Sequence, residues 1–97
     1  MFTSKQRAHL KSLASTLKPI AQVGKEGLSD HLLNGISDAL EAHELIKVNL
    51  LPAAGEDKDN LAANIADLLG AEVVAVIGRK AIFYRRSSRE NFEHIEV

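Results

Sequence analysis

Two glycines separated by two residues form the motif with the clearest chemical potential in this sequence. Gly24-Lys25-Glu26-Gly27 follows a short apolar stretch and precedes Ser29, a residue type that often caps helix N-termini. Glycines let a backbone approach a phosphate closely, free N–H groups at a helix start favour an anion, and Lys25 adds a positive charge. The motif therefore predicts a phosphate-binding loop. A plain chain reversal from strand to helix is the alternative.

Basic residues are concentrated in two segments that contain no acid. Five lie within residues 1–25 and five within residues 76–89, whereas residues 26–75 contain ten acids and residues 90–97 contain three. If the fold brings the basic segments to one side, they form the electrostatic footprint expected for a nucleic-acid backbone. Charge that serves only solubility is the alternative. The residues predicted to contact such a backbone are Arg7, Lys11, Lys18, Gly24, Lys25, Gly27, Arg79, Lys80, Arg85 and Arg86.

The composition excludes several classes of protein. A chain of 97 residues with 45% hydrophobic and 26% charged residues has the size and composition of one small globular domain. It contains no cysteine, so disulfide frameworks and zinc–thiolate sites are excluded. The four histidines lack metal-ligand spacing and no G-x-S-x-G elbow is present. We expect no catalytic residue, metal or cofactor.

Targeting signals are also missing from the sequence pattern. No apolar run approaches the roughly 20 residues of a membrane span, and residues 1–5 lack the apolar core of a secretory signal. We therefore expect a cytoplasmic protein without a membrane partner or a small-molecule substrate.

Three segments have helical periodicity and recognisable ends. Thr3 and Gln6 form a capping box before leucines at helical spacing, Ser29 caps the second segment, and Gly70 ends the third. The predicted helices cover residues 4–16, from the Ser29 cap to about residue 42, and 61–69.

Four segments have the alternation or β-branched content of strands. They cover residues 20–23, 45–51, 73–77 and 81–84, with a loop over 52–59 and a tight hairpin connection at 78–80. The predicted fold is α/β, a two-layer α-β-α-β-α-β-β domain over residues 1–86, and residues 87–97 are predicted to be a flexible tail. Tyr84 is predicted to lie in the core or, alternatively, to offer a stacking face for a base.

Seven short segments between Thr3 and Arg85 together match a known pattern. They are Lys5-Gln6-Arg7 with Leu10 and Leu13-Ala14, Leu17-Lys18-Pro19-Ile20, Val23-Gly24-Lys25-Glu26-Gly27-Leu28, Ala39-Leu40-Glu41-Ala42, Glu44-Leu45-Ile46-Lys47-Val48, Val76-Ile77-Gly78-Arg79 and Tyr84-Arg85. In this combination the sequence resembles the YhbY-type CRM domain (chloroplast RNA splicing and ribosome maturation), a small RNA-binding module. The resemblance implies a mixed four-stranded sheet with the last strand antiparallel to the others, like the C-terminal domain of translation initiation factor three.

The resemblance also implies a function. Stand-alone bacterial members of the family associate with precursors of the large ribosomal subunit, and their G-x-x-G loop and basic surface bind RNA. The expectation is therefore a non-enzymatic ribosome assembly factor that binds ribosomal RNA. An adaptor that binds proteins through the acidic residues 26–75 is the alternative. Glu26 departs from the family pattern, because a neutral residue is common there and an acid repels a nearby phosphate.

Overall fold

Helices and strands alternate along the chain in the predicted order. A computed structural model describes residues 2–97. The helices are α1 (Ser4–Ala14), α2 (Asp30–His43) and α3 (Lys58–Leu69), and a short 3-10 helix covers Pro52–Ala54. The strands are β1 (Ala21–Val23), β2 (Leu45–Leu50), β3 (Glu72–Ile77) and β4 (Lys80–Tyr84).

The helix ends follow from local capping chemistry. The Thr3–Gln6 capping box is formed, the Ser29 hydroxyl accepts the Leu32 N–H, and Gly70 takes the left-handed conformation with φ of 63°. Helix α1 ends two residues earlier than predicted, because the Ser15 hydroxyl and N–H both turn back to the Ser12 carbonyl.

The sheet is mixed, with strand order β1-β2-β4-β3. Strands β1 and β2 are parallel, and β4 is antiparallel to both of its neighbours, β2 and β3. The predicted α/β class and antiparallel last strand are therefore confirmed. Because β4 runs against the other strands, the loop after β1 and the turn between β3 and β4 lie at one end of the sheet. The chain leaves β4 at the opposite end, roughly 17 Å away for a strand of this length.

Helices cover both faces of the sheet, so the fold has three layers where two were predicted. Ala81 and Phe83 of β4 pack in one core with α2 and α3, whereas Ile82 and Tyr84 pack in a second core with α1. A two-layer arrangement would leave these two side chains in water, at a cost of roughly 1.5–3 kcal/mol for each large apolar group. The unbroken apolar run in β4 is typical of a strand buried on both faces.

Tyr84 belongs to the core. Only 7% of its surface is exposed, and its ring meets the Phe2 ring edge to face with centroids 5.4 Å apart. Burial, followed by the nearby Glu44 carboxylate, raises the pKa of the Tyr84 hydroxyl. The tyrosine therefore offers no free face on which a base could stack.

Glu44 is a fully buried carboxylate at the C-terminal end of α2. Its oxygens accept the N–H groups of Ser87 and Ile95, each at 2.7 Å, and contact Nδ1 of His94. Burial alone would raise the pKa of Glu44, but these hydrogen bonds outweigh it and hold the pKa below its ordinary value. The charged form of Glu44 thus fixes the course of the chain after β4.

Residues 87–97 lie against the domain over much of their length. Besides the contacts to Glu44, the Ser88 hydroxyl and N–H donate to Glu41, and these bonds together with Arg85 lower the pKa of the Glu41 carboxyl. The aperiodic sequence predicted a flexible tail, and the structure gives this segment specific partners. Its mobility stays a prediction, which amide hydrogen exchange of residues 87–97 measures.

Candidate functional site

The G-x-x-G loop is a tight turn between β1 and α2. The Gly27 N–H donates to the Gly24 carbonyl at 2.9 Å, and Gly27 takes a φ of 69°, which favours glycine. Gly24 has no such requirement, and a Cβ atom there would meet Leu51 at an ordinary 3.5 Å. The need for glycine is therefore conformational at Gly27, whereas the structure has room for a Cβ atom at Gly24.

A cleft of about 420 Å³ opens beside this loop. Its remaining walls come from the end of β1, the start of α2 and the residue after β2, namely Gln22, Ser29, His31, Leu32 and Leu51. Lys25 and Glu26 are exposed at its edge. The volume falls within the range of small-ligand sites, roughly 300–1,000 Å³. The cleft thus combines two apolar side chains with several polar ones.

The turn between β3 and β4 is anchored at the same end of the sheet. The Arg79 Nε donates to the Leu50 carbonyl at 2.6 Å, and the Leu50 N–H donates to the Arg79 carbonyl at 2.7 Å. The Lys58 ammonium donates to the Gly78 carbonyl at 2.8 Å. Arg79 and Lys80 remain exposed. We call the surface formed by residues 24–27 and 78–80 the loop-end surface.

Hydrogen bonds across the ends of neighbouring strands connect the two parts of this surface. The Leu51 N–H donates to the carbonyl of Val23, the residue before Gly24, and Leu50 is bonded to Arg79. The loop and the hairpin turn therefore lie at the same end of the sheet. The predicted common side for all the basic segments is wrong for the first helix, which packs toward the far end. The first of the two basic segments contributes Lys25 and the second contributes Arg79 and Lys80.

Helix α1 lies across one face of the sheet, away from this end. Its buried residues Leu10 and Ala14 pack with Leu45 and Tyr84, which pair at the far end of β2 and β4. Arg7 is half-buried, and its Nη1 donates to the backbone carbonyls of Val73 and Val74 at 2.6 and 2.8 Å. The guanidinium of Arg7 therefore fastens α1 to β3. The predicted residues Lys11 and Lys18 are exposed, on α1 and on the segment after it.

Arg85 has partners within the protein at the far end of β4. Its guanidinium donates to the Leu69 carbonyl, to the carbonyl and hydroxyl of Ser37, and to the Glu41 carboxylate, over 2.8–3.3 Å. These bonds join β4 to α2 and α3. Arg86 is exposed beside it. The basic run that looks continuous over residues 76–89 is thus divided between the two ends of the sheet, and Arg85 and Arg86 lie outside the loop-end surface.

Gln22 and His31 belong to the cleft, although sequence reasoning did not predict them as site residues. Gln22 is the polar residue between two apolar neighbours of β1, and alternation turns its side chain away from the α2 core. His31 lies in the first turn of α2, directly after the loop. Proximity to the G-x-x-G motif was the one sequence signal that could have identified either residue.

Neither a metal centre nor a membrane-spanning helix is present in residues 2–97. Within that range no three histidine or acidic side chains are grouped closely enough to hold a metal ion. None of the helices in the described part of the chain is long and apolar enough to cross a bilayer.

Comparison with known proteins places this geometry in a family. The sequence model of the CRS1 / YhbY (CRM) domain matches residues 2–85. A Bacillus subtilis protein named "Probable RNA-binding protein YqeI" is 42% identical over 91 residues, which cover 94% of each chain. A Haemophilus influenzae protein named "RNA-binding protein" is 35% identical over 91 residues, 94% of this chain and 92% of the relative.

A solved structure has the same fold. It is the solution structure of SAV1595 from Staphylococcus aureus, described as a candidate RNA-binding protein. The two structures superimpose with a TM-score of 0.78 at 40% sequence identity, over 94% of this chain and 95% of the other.

Proposed function

Because the chain belongs to the CRS1 / YhbY (CRM) domain family, we propose that it is an RNA-binding protein that catalyses no reaction. The observation that carries this proposal is the loop-end surface, where an exposed lysine in a G-x-x-G loop lies at the same end of the sheet as Arg79 and Lys80. The names of the relatives support it. Phosphates of the RNA contact the loop backbone and the three exposed cations.

The proposed partner is ribosomal RNA of the large-subunit precursor, and the proposed role is in ribosome assembly. This finer assignment rests on the family resemblance described above. In bacteria such a factor works in the cytoplasm, where ribosomes are built. Lys11 and Lys18 extend the proposed contact along the face that carries α1. Arg7 and Arg85 support it indirectly, because their guanidinium groups hold the fold.

The proposal is tested by binding to fragments of large-subunit precursor RNA at two salt concentrations, with an unrelated structured RNA of equal length as the reference. We expect tighter binding to the precursor fragments, and affinity that falls steeply as salt rises, because each phosphate contact releases counterions. Equal affinity for both RNAs would contradict the assignment to ribosomal RNA but would leave RNA binding intact. A protein that binds neither RNA fits the alternative, an adaptor acting through residues 26–75.

Gly24→Ala separates a binding loop from a plain chain reversal. The added methyl group meets Leu51 at an ordinary distance, so we expect the free energy of unfolding to change by no more than about 0.5 kcal/mol. RNA affinity should fall severalfold, because the methyl group blocks close approach of a phosphate to the backbone. Unchanged affinity in a titration of the variant would favour the chain reversal.

Gly27→Ala provides the comparison for that variant. Because Gly27 has a left-handed backbone, alanine at this position should lower the free energy of unfolding by roughly 1–2 kcal/mol, as measured by denaturant unfolding.

Arg85→Ala and Arg86→Ala are expected to differ although the residues are neighbours. Arg85→Ala removes hydrogen bonds to Ser37 and Leu69 and should lower the free energy of unfolding by about 1–2 kcal/mol. Arg86 is exposed, so its replacement should change stability by less than about 0.5 kcal/mol. Denaturant unfolding measures both. Equal stability of the two variants would contradict the structural role given to Arg85.

A further inference from the structure

The cleft beside the G-x-x-G loop contains polar side chains that the fold does not use. The side chains of Gln22, Lys25, Glu26 and His31 make no hydrogen bond or ion pair with any residue in the range 2–97 that the structure describes. The same cleft is lined by the apolar side chains of Leu32 and Leu51. An apolar wall beside free hydrogen-bonding groups suits a flat heterocycle, which needs a surface for its face and partners for its edge.

Glu26 does not fit a loop that only binds phosphate. It is exposed in the loop-end surface, where its charge repels the anion that Lys25 and Arg79 attract. A carboxylate is purely an acceptor, and its two oxygens can accept two parallel hydrogen bonds. The chemistry of Glu26 is therefore matched by a group with two adjacent N–H donors.

Among the RNA bases, guanine has two adjacent donors on its Watson–Crick edge, N1–H and the N2 amino group. Adenine and cytosine each have one amino group beside an acceptor, and uracil has a single N–H between two carbonyls. We propose that Glu26 binds the Watson–Crick edge of an unpaired guanine held in this cleft. The proposal rests on the proposed function, because it names the base that the RNA presents there.

The rest of the cleft complements this base. Guanine O6 lies next to N1 and needs a donor, and Lys25 and His31 supply donors around the same cleft. Base pairing would occupy the same edge of the guanine, so the cleft selects a nucleotide in a loop, a bulge or a single strand. Lys25 binds a phosphate without regard to sequence, whereas its neighbour Glu26 supplies base specificity.

The test uses short single-stranded oligouridines with one central guanine, adenine or inosine. Inosine retains N1–H and O6 but lacks the N2 amino group. The wild-type protein should prefer guanine over adenine by about fivefold or more, with inosine in between. Glu26→Gln should abolish the preference and bind oligouridine without guanine slightly more tightly, because a repulsive charge has been removed. Glu93→Gln, the same change at an exposed residue of the tail, should keep the preference.

The outcomes separate this assignment from the proposed function. Binding of all oligonucleotides without a guanine preference, or a preference that survives in Glu26→Gln, would overturn the role of Glu26 and leave RNA binding intact. If neither the oligonucleotides nor the ribosomal fragments bind at low salt, the proposed function fails and the guanine site fails with it.

Discussion

Glu44→Gln is expected to lower the free energy of unfolding by about 2–3 kcal/mol and to release residues 87–95 from the domain. The buried carboxylate accepts the N–H groups of Ser87 and Ile95 and contacts His94, and hydrogen bonds to a charged group contribute about 1.5–3 kcal/mol. An amide in its place has one acceptor oxygen and presents an N–H₂ group to backbone donors. Denaturant unfolding gives the stability, and amide exchange of residues 87–95 reports the release.

The same residue sets part of the acid stability. The pKa of Glu44 is lower in the folded protein than its ordinary value of 4.5. Its contribution to stability is therefore complete above that value and is lost as the pH falls through the lower folded pKa. Glu44→Gln should flatten the fall in stability below about pH 4.5. Parallel curves for wild type and Glu44→Gln would contradict the role of the buried charge.

Replacing both Lys25 and Arg79 by alanine is expected to weaken RNA binding by about tenfold at low salt. Each phosphate contact contributes about 0.7–0.9 to the slope of log affinity against log salt, so the double variant should lose about 1.4–1.8 from that slope. Affinity measured at several salt concentrations gives both values.

The matched control replaces Arg86 and Arg89, two exposed cations beyond the far end of β4, and changes the net charge by the same amount. This control variant should retain most of the slope of log affinity against log salt. If both double variants flattened the slope equally, charge would act diffusely and the loop-end surface would have no special role.

The order of elements could be predicted because local chemistry determines it. The capping box at Thr3, the Ser29 cap and the left-handed Gly70 each need only a few neighbouring residues, and each was found where predicted. The mixed sheet followed from the family resemblance. The third layer was missed, although the apolar run in β4 shows that both faces of that strand are buried.

The grouping of charges could not be predicted from the sequence because it depends on strand direction. Arg79 and Arg85 are six positions apart, but β4 carries them to opposite ends of the sheet. Lys58 lies in the acidic part of the sequence, yet its ammonium group contacts Gly78 beside the basic turn. The role of Glu44 could not be predicted from a sequence pattern either, because its hydrogen-bond partners lie about 40 to 50 positions away in the chain.

The most direct test of the loop-end surface is a titration of the ¹⁵N-labelled protein with a large-subunit precursor RNA fragment, followed by amide chemical shifts. We expect the largest shifts in residues 22–31 and 78–80, which form the cleft, the loop and the turn. Residues 85–97 should shift little. Shifts concentrated in residues 85–89 or on the exposed sides of α2 and α3, with residues 24–27 unchanged, would contradict the assignment of RNA binding to this end of the sheet.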